Sequence, residues 1–410
     1  MLGPGLTTGA SDDDPSGIAT YSQTGAMSGY KLLWTSVFTF PLMGIVQEMC
    51  ARIGLVTGRG LAGNIRIHFP KRILYFSALL LFVANTINIG ADLGAMAEAT
   101  RLLNPNFNFY ALVIGFTVFS LGLQIFTPYV RYAKYLKWLA LVLFSYVASA
   151  LMAGLDWHTI LHHAYVPTFH WTKEEIIIIC AILGTTISPY LFFWQTSQEV
   201  EEKILQGKTT LRLRSTAVPR SDMRSMRVDV WTGMFLSNAV MFFIIAACGG
   251  ILYTNGITEI TSAAQAAEAL RPFAGNATFF LFSIGIIGTG LLAIPVLAGS
   301  SSYVVAESFR WREGLYNKLG KAYAFYGVII ISMLVGMAMN FLGIDPIKAL
   351  IYAALANAFV APIILFLIVK LASDKKIMGR WKNSWFSSSI GYLTTAAMTV
   401  SGVAAVIALL

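Results

Sequence analysis

Apolar residues run along this chain in long blocks, each about the length of a helix that crosses a bilayer, parted by short polar and basic segments. With about 17–25 residues to a span, eleven are predicted, at approximately 2–26, 31–53, 72–100, 108–126, 132–153, 175–203, 229–253, 276–302, 322–343, 346–370 and 386–409. Two blocks are interrupted. Asp12, Asp13 and Asp14 lie inside the first, followed by Pro15 and Gly17; Gly184-Thr185-Thr186-Ile187-Ser188-Pro189 interrupts the sixth. Proline removes an N–H and glycine tolerates unusual dihedrals, so each block predicts two half-helices.

Breaks at mid-membrane carry consequences. An ionised aspartate at the bilayer centre costs about 2.5–3.5 kcal/mol on insertion scales, so carboxylates there face a cavity or an ion. Carbonyls freed by a break are tolerated only where they line a wet cavity or are buried in protein. Aspartate, free carbonyls and a cavity together make a cation site. Two broken helices at matching places in two halves predict an inverted-repeat transporter with its site at the repeat interface. The repeats are expected at 1–153 and 175–370, with 386–409 a peripheral eleventh helix; no side-chain repeat accompanies the two breaks.

Composition agrees. The 410 residues are 56% hydrophobic and 12% charged, with mean hydropathy +0.67, about half the charge of a soluble protein. The fold class is an all-α polytopic membrane protein. All of the 29 lysines and arginines except Lys31, Arg101, Lys173, Arg271 and Lys348 fall at one end of the predicted spans or in the loops there. This positive-inside bias sets the expected orientation in a cell inner membrane, N-terminus cytoplasmic. It also explains the net charge of +9 without a nucleic-acid partner. The longest such loop, 204–228, reads as a solvated topogenic segment. Cys50, Cys180 and Cys248 are scattered through apolar spans and read as small core residues. The first apolar stretch carries aspartates instead of a basic flank and cleavage site, so no cleavable signal peptide is read there. No nucleophile–base pair or histidine set lies in the spans, which argues against an enzyme. No cofactor is expected, the lipid bilayer is the evident partner, and the chain is expected to be a monomer.

The breaks also carry a resemblance. GPGLTTGASDDDPSGIAT at 3–20 resembles the first helix of the NRAMP divalent-metal transporters, whose motif reads Asp-Pro-Gly-Asn before a short Ala-Thr segment. VQEMCARIGLVTGRGLA at 46–62, GTTISPYLFFWQTS at 184–197 and SIGIIGTGLLAIPVLAGSSSYVVAE at 283–307 are similar to the second, sixth and eighth helices of that family. The resemblance implies a LeuT-type fold with a 5+5 inverted repeat, alternating access and divalent-cation transport, the metal being cargo. It places the metal at Asp14, Gly17, Thr185 and Ser188, with Asp12, Asp13, Tyr190 and Asn357 as further candidates for the lining.

Departures from the family pattern shift the expectation. Asp14 matches the family's metal-binding aspartate, but Gly17 stands in place of its asparagine, Ser188 of its methionine and Thr185 of its usual alanine. Thioethers suit transition metals, whereas hydroxyls are hard donors. Mg²⁺ asks for octahedral oxygen coordination and sheds water reluctantly, so a wider all-oxygen pocket looks like that of the NRAMP-related magnesium transporters, with Mn²⁺ as a further cargo. Ala95 occupies the position of a family glutamate on the proton path, and Tyr190 and Gln195 replace two helix-six histidines. None of the five histidines falls in a predicted span, so proton coupling is not expected.

Other residues invite a plainer reading. Asp12 and Asp13 are expected to draw cations into a vestibule. Glu48, Asp92, Glu98, Asn238 and Asn357 are expected to close polar contacts between helices, with Asn357 and Asn238 also able to offer an amide oxygen. His158 and His162, with His163 adjacent, fall short of a zinc site. Trp138, Trp157 and Trp171 fit an interfacial belt. Two other readings stay open: a proton-coupled Mn²⁺/Fe²⁺ importer, and a sodium-coupled organic-solute carrier on the same fold. Asp14 opposes the latter for an amino-acid substrate, whose carboxylate it would repel.

Overall fold

A computed structural model describes residues 3–127, 129–168, 172–215, 217–343 and 346–409. Trp171 lies outside them. Helices follow one another with short connections: α1 (Pro4–Ala10), α2 (Pro15–Ser28), α3 (Trp34–Thr57), α4 (Leu61–His68), α5 (Lys71–Leu103), α6 (Phe109–Phe126), α7 (Tyr129–Leu139), α8 (Phe144–Met152) and α9 (Trp157–Tyr165). The second half contributes α10 (Lys173–Thr186), α11 (Pro189–Leu205), α12 (Leu211–Arg214), α13 (Arg220–Ile251), α14 (Ala263–Phe309), α15 (Tyr323–Met339), α16 (Pro346–Ser373), α17 (Lys375–Met378) and α18 (Trp385–Leu409). Each predicted span overlaps one helix or a broken pair, apart from 132–153, which covers α7, a short 3-10 turn and α8. Among the described residues six helical stretches are long and apolar enough to cross a membrane by themselves, Lys173–Leu205 and Ala263–Phe309 among them.

The first break falls where proline chemistry puts it. Pro15 is the first residue of α2 and Asp14 its N-cap, while α1 ends at Ala10. The second is shorter: α10 ends at Thr186 and Pro189 starts α11, with Ser188 as N-cap. Both broken helices are central. α1 and α2 run along α13, while α11 packs on α3 and α14, and α10 lies against α2 and α18. The longest single contact joins α5 to α14.

Close approach between α1 and α13 depends on glycine. A Cβ on Gly9 would lie 2.1 Å from the Gly233 carbonyl oxygen, and one on Gly233 would lie 2.0 Å from that of Gly5. The backbones therefore touch, as small residues allow in apolar surroundings where packing rather than water drives association. Outward faces carry large exposed apolar side chains, such as Leu79, Val118, Phe126, Phe235 and Val400, as a lipid-facing surface requires.

Four expectations gain detail. The span at 132–153 is split by a 3-10 turn at Ala140–Leu143. α14 starts at Ala263 rather than near 276 and kinks at Gly275, whose φ is 82°. The segment 204–228 contains α12 and the first turns of α13, with most of its described residues exposed. Lys203 Nζ donates to the carbonyls of Leu55 and, at 2.6 Å, Arg214, while Arg380 donates to that of Val218 at 2.6 Å. Backbone acceptors, which composition does not reveal, hold the segment. Lastly, 157–165 is helical, capped by Asp156. The Thr159 hydroxyl, 2.5 Å away, and the amides of Thr159 and His158 hold this exposed carboxyl below its ordinary range.

Candidate metal site at the helix breaks

Asp14 is buried, and one of its oxygens is committed to local structure. Oδ1 accepts from Gly17 N at 2.7 Å and from Ser16 Oγ at 2.6 Å, the N-cap interaction that satisfies an orphan donor of α2. Oδ2 takes no part in those bonds. Across the junction, Ser188 Oγ donates to the carbonyls of Thr185 at 2.7 Å and Gly184 at 3.1 Å. Thr185 would have used the N–H that Pro189 lacks, so the hydroxyl repairs the break locally. Its lone pairs remain available to a cation.

A cavity of about 60 Å³ joins the two breaks. Asp14, Ser16 and Thr20 line it from α2 and its cap, Asn88 from α5, Ala181, Gly184, Thr185 and Ser188 from α10 and its end, and Asn357 from α16. Every polar lining side chain is an oxygen donor or an amide; no thioether, thiol, imidazole or second carboxylate contributes among the described residues. Asn357 is buried and its Oδ1 has no hydrogen-bond partner. Gly17 borders the site without a side chain to offer. A Cβ there would stand 3.1 Å from Thr185 Oγ1 and 3.4 Å from Asp14 Oδ1, so a larger residue would narrow the cavity.

The structure thus brings together Asp14, Thr185, Ser188 and Asn357, with Gly17 beside them. It sends Asp12, Asp13 and Tyr190 elsewhere. Asp12 is wholly buried and its Oδ2 accepts from Ser237 Oγ of α13 at 2.7 Å. Asp13 is also wholly buried, with neither oxygen hydrogen-bonded. Neither sits in an open vestibule, because the turn after α1 buries both. Tyr190 donates its hydroxyl to the Ser11 carbonyl at 2.7 Å, and its own carbonyl accepts from Ser300 Oγ at 2.7 Å. Pro15 leaves the Ser11 carbonyl without a donor in its own helix, so Tyr190 closes one break from the other. Gln195 hydrogen-bonds Glu199 one turn along α11 at 2.9 Å, and does not reach the cavity.

Sequence reasoning missed Ser16, Thr20 and Asn88 as lining residues. Ser16 and Thr20, four residues apart, share a face of α2, a spacing that was available as a signal. Asn88 had none, since its position depends on how α5 packs. Elsewhere Glu48 accepts from Arg227 Nε at 2.9 Å and Trp231 Nε1 at 3.0 Å, and Asn238 Oδ1 accepts from Thr39 of α3 at 2.9 Å. These are interhelical contacts. Asp92 is wholly buried on α5, neither oxygen having a hydrogen-bond partner. His163 Nδ1 lies 2.9 Å from the Thr159 carbonyl, and no group of three His, Cys, Asp or Glu suited to a metal occurs among the described residues. Trp138 is largely exposed and Trp157 packs on Phe243.

Known proteins resemble this chain in sequence and in fold. The sequence model of the Nramp family, described as natural resistance-associated macrophage protein-like, matches residues 5–408. A divalent metal cation transporter MntH from Caldanaerobacter subterraneus subsp. tengcongensis is 24% identical over 97% of this chain and 90% of its own. The crystal structure of a manganese transporter from Eremococcus coleocola superposes with a TM-score of 0.77 at 18% identity, over 98% of this chain and 84% of that one. Mhp1, a nucleobase-cation-symport-1 family transporter, matches with a TM-score of 0.54 at 14% identity, over 100% of this chain and 91% of that one. The LeuT-type fold that the resemblance implies is the fold of this chain.

Proposed function

This chain belongs to the Nramp family of membrane transporters, and on that premise we propose that it carries hard divalent cations, Mg²⁺ foremost and Mn²⁺ as well, through an all-oxygen site where its two broken helices meet. The metal is transported substrate and the chain is not an enzyme. The observation that carries the ion preference is the donor set around the 60 Å³ cavity: Asp14 as the single carboxylate, with hydroxyl or amide oxygens from Thr185, Ser188, Asn88 and Asn357. Oxygen donors favour Mg²⁺ and Mn²⁺ over softer ions. Such a volume holds roughly two to four waters, which supports a cation keeping part of its hydration shell, as Mg²⁺ prefers.

Alternating access would pivot 1–153 against 175–370, with the basic loops and the N-terminus at the cytoplasmic face of an inner membrane. Flux is proposed to be uncoupled from protons, because Ala95, Tyr190 and Gln195 offer no group that titrates near neutral pH. A second reading, a proton-coupled Mn²⁺ or Fe²⁺ importer, draws support from the similar proteins, a divalent metal cation transporter and a manganese transporter.

Influx into proteoliposomes containing the purified full-length chain separates the two. Mg²⁺ and Mn²⁺ are expected to enter and to compete with each other, with Cd²⁺ a poor competitor. Entry of Mn²⁺ and Cd²⁺ without Mg²⁺ would instead establish the second reading.

A further inference from the structure

At the basic end of the bundle, away from the metal site, lies a cavity of about 260 Å³. It is walled by the turn after α3, the start of α4, the last turns of α11, α12, and the turn after α14. Five guanidinium groups line it: Arg59, Arg66, Arg214, Arg310 and Arg312. Three carboxylates share the walls, and two of them accept from hydroxyls and backbone amides. Glu201 accepts from Tyr303 Oη at 2.5 Å and from the amides of Leu315 at 2.7 Å and Tyr316 at 3.2 Å. Glu307 accepts from the Gly63 amide at 2.6 Å and Ser197 Oγ at 3.3 Å, and so serves as the anion at the N-terminus of α4. Glu313, in the turn beyond the membrane-spanning part of α14, is pushed well above the ordinary range by burial and by Glu307 and Glu201.

The arginines face these acids without closing a direct ion pair on them, Arg66 near Glu307 and Glu313 and Arg214 near Glu201 and Glu313. Among the described residues the ion pairs within 4 Å are Glu48 with Arg52 and with Arg227; none links a cavity arginine to these three acids. Nε and Nη1 of Arg66 and Nε of Arg214 are buried without a hydrogen-bond partner. A charged donor removed from water without an acceptor is costly. Arg310, whose φ is 61°, closes α14 as its left-handed C-cap, which turns it and Arg312 toward the cavity wall.

We propose that this cavity binds a phosphate-bearing anion, gripped by Arg66 and Arg214 and surrounded by Arg59, Arg310 and Arg312. Planar guanidinium forks match the spaced oxygens of phosphate, bonding in pairs. A volume just under the usual range for small-molecule sites, about 300–1,000 Å³, suits a phosphate or diphosphate group better than a whole large ligand. The group can come from a soluble phosphate compound or from the headgroup of an anionic phospholipid, and experiment tells these sources apart.

Pyrophosphate titrated calorimetrically into the full-length chain in a neutral detergent tests the soluble source. Melting of the chain in phosphatidylcholine vesicles, with and without phosphatidylglycerol, tests the lipid source. Saturable pyrophosphate binding assigns the site to a soluble phosphate. A melting temperature raised only by phosphatidylglycerol assigns it to a headgroup. In either arm Arg66→Gln and Arg214→Gln are each expected to weaken the effect about tenfold or more, as loss of charged hydrogen bonds does. Arg220→Gln, exposed and outside the cavity, is expected to leave it unchanged. If the glutamine variants fail to fold, Arg66→Lys and Arg214→Lys keep the charge, lose the fork and are expected to weaken binding. Absence of an effect in both arms, or an effect that folded variants at 66 and 214 leave intact, would overturn the proposal.

Discussion

Replacing Asp14 by asparagine separates charge from architecture at the metal site. The amide keeps a side-chain oxygen for Gly17 N and Ser16 Oγ, now 2.7 and 2.6 Å from Oδ1, and asparagine caps helices as well as aspartate does. The fold should persist. What disappears is the one carboxylate lining the cavity. Two unit charges 4 Å apart at an effective dielectric near 20 interact by about 4 kcal/mol, so a divalent cation gains about 8. Most of that is offset by desolvation of the ion and the carboxylate. If only a quarter survives, about 2 kcal/mol, the cation dissociation constant rises about 30-fold. Calorimetric titration of Mg²⁺ and Mn²⁺, with influx into proteoliposomes, reads this directly, and elution and melting profiles establish that the variant is folded. Asp14→Ala is a poorer test because it also removes the cap, worth about 0.5–2 kcal/mol. Asp14→Asn with influx and affinity within twofold of the parent chain would refute the assignment of Asp14 as the charged ligand.

Ser188→Met exchanges a hydroxyl for a thioether at the cavity wall, so competition assays should show Cd²⁺ and Mn²⁺ gaining over Mg²⁺; an unchanged ranking would remove residue 188 from the site. Tyr190→Phe takes the donor from the buried Ser11 carbonyl, a loss of about 1–3 kcal/mol; thermal melting in detergent should fall, and an unaltered melt would show that the two breaks are not tied through this bond. A pH-sensitive dye sealed in proteoliposomes should report no acidification during Mg²⁺ influx under a negative-inside potential. Acidification that scales with influx would establish coupling and direct mutagenesis to Asp92, the buried acid on α5.

How much was legible from residues alone follows from the range of each interaction. The breaks at Asp14-Pro15 and Ser188-Pro189 could be read directly, because a missing N–H acts within one helical turn. The membrane class and the family resemblance were equally accessible, since each rests on composition or on contiguous residues. What the bundle decided is of another kind. Asn88 enters the cavity because of how α5 meets α2, and Tyr190 reaches Ser11 across the junction instead of lining the site. The segment 204–228 is held by Lys203 and Arg380, which donate to the carbonyls of Arg214 and Val218, and five arginines from three segments converge at one cavity. In a soluble helix the apolar stripe marks the inward face. Here lipid and protein interior are both apolar, so hydrophobicity reveals that a helix is embedded but not which side faces its neighbours. Inward faces are chosen by close packing, as where Gly9 meets Gly233, and by polar atoms finding partners, and both exist only once the helices are assembled.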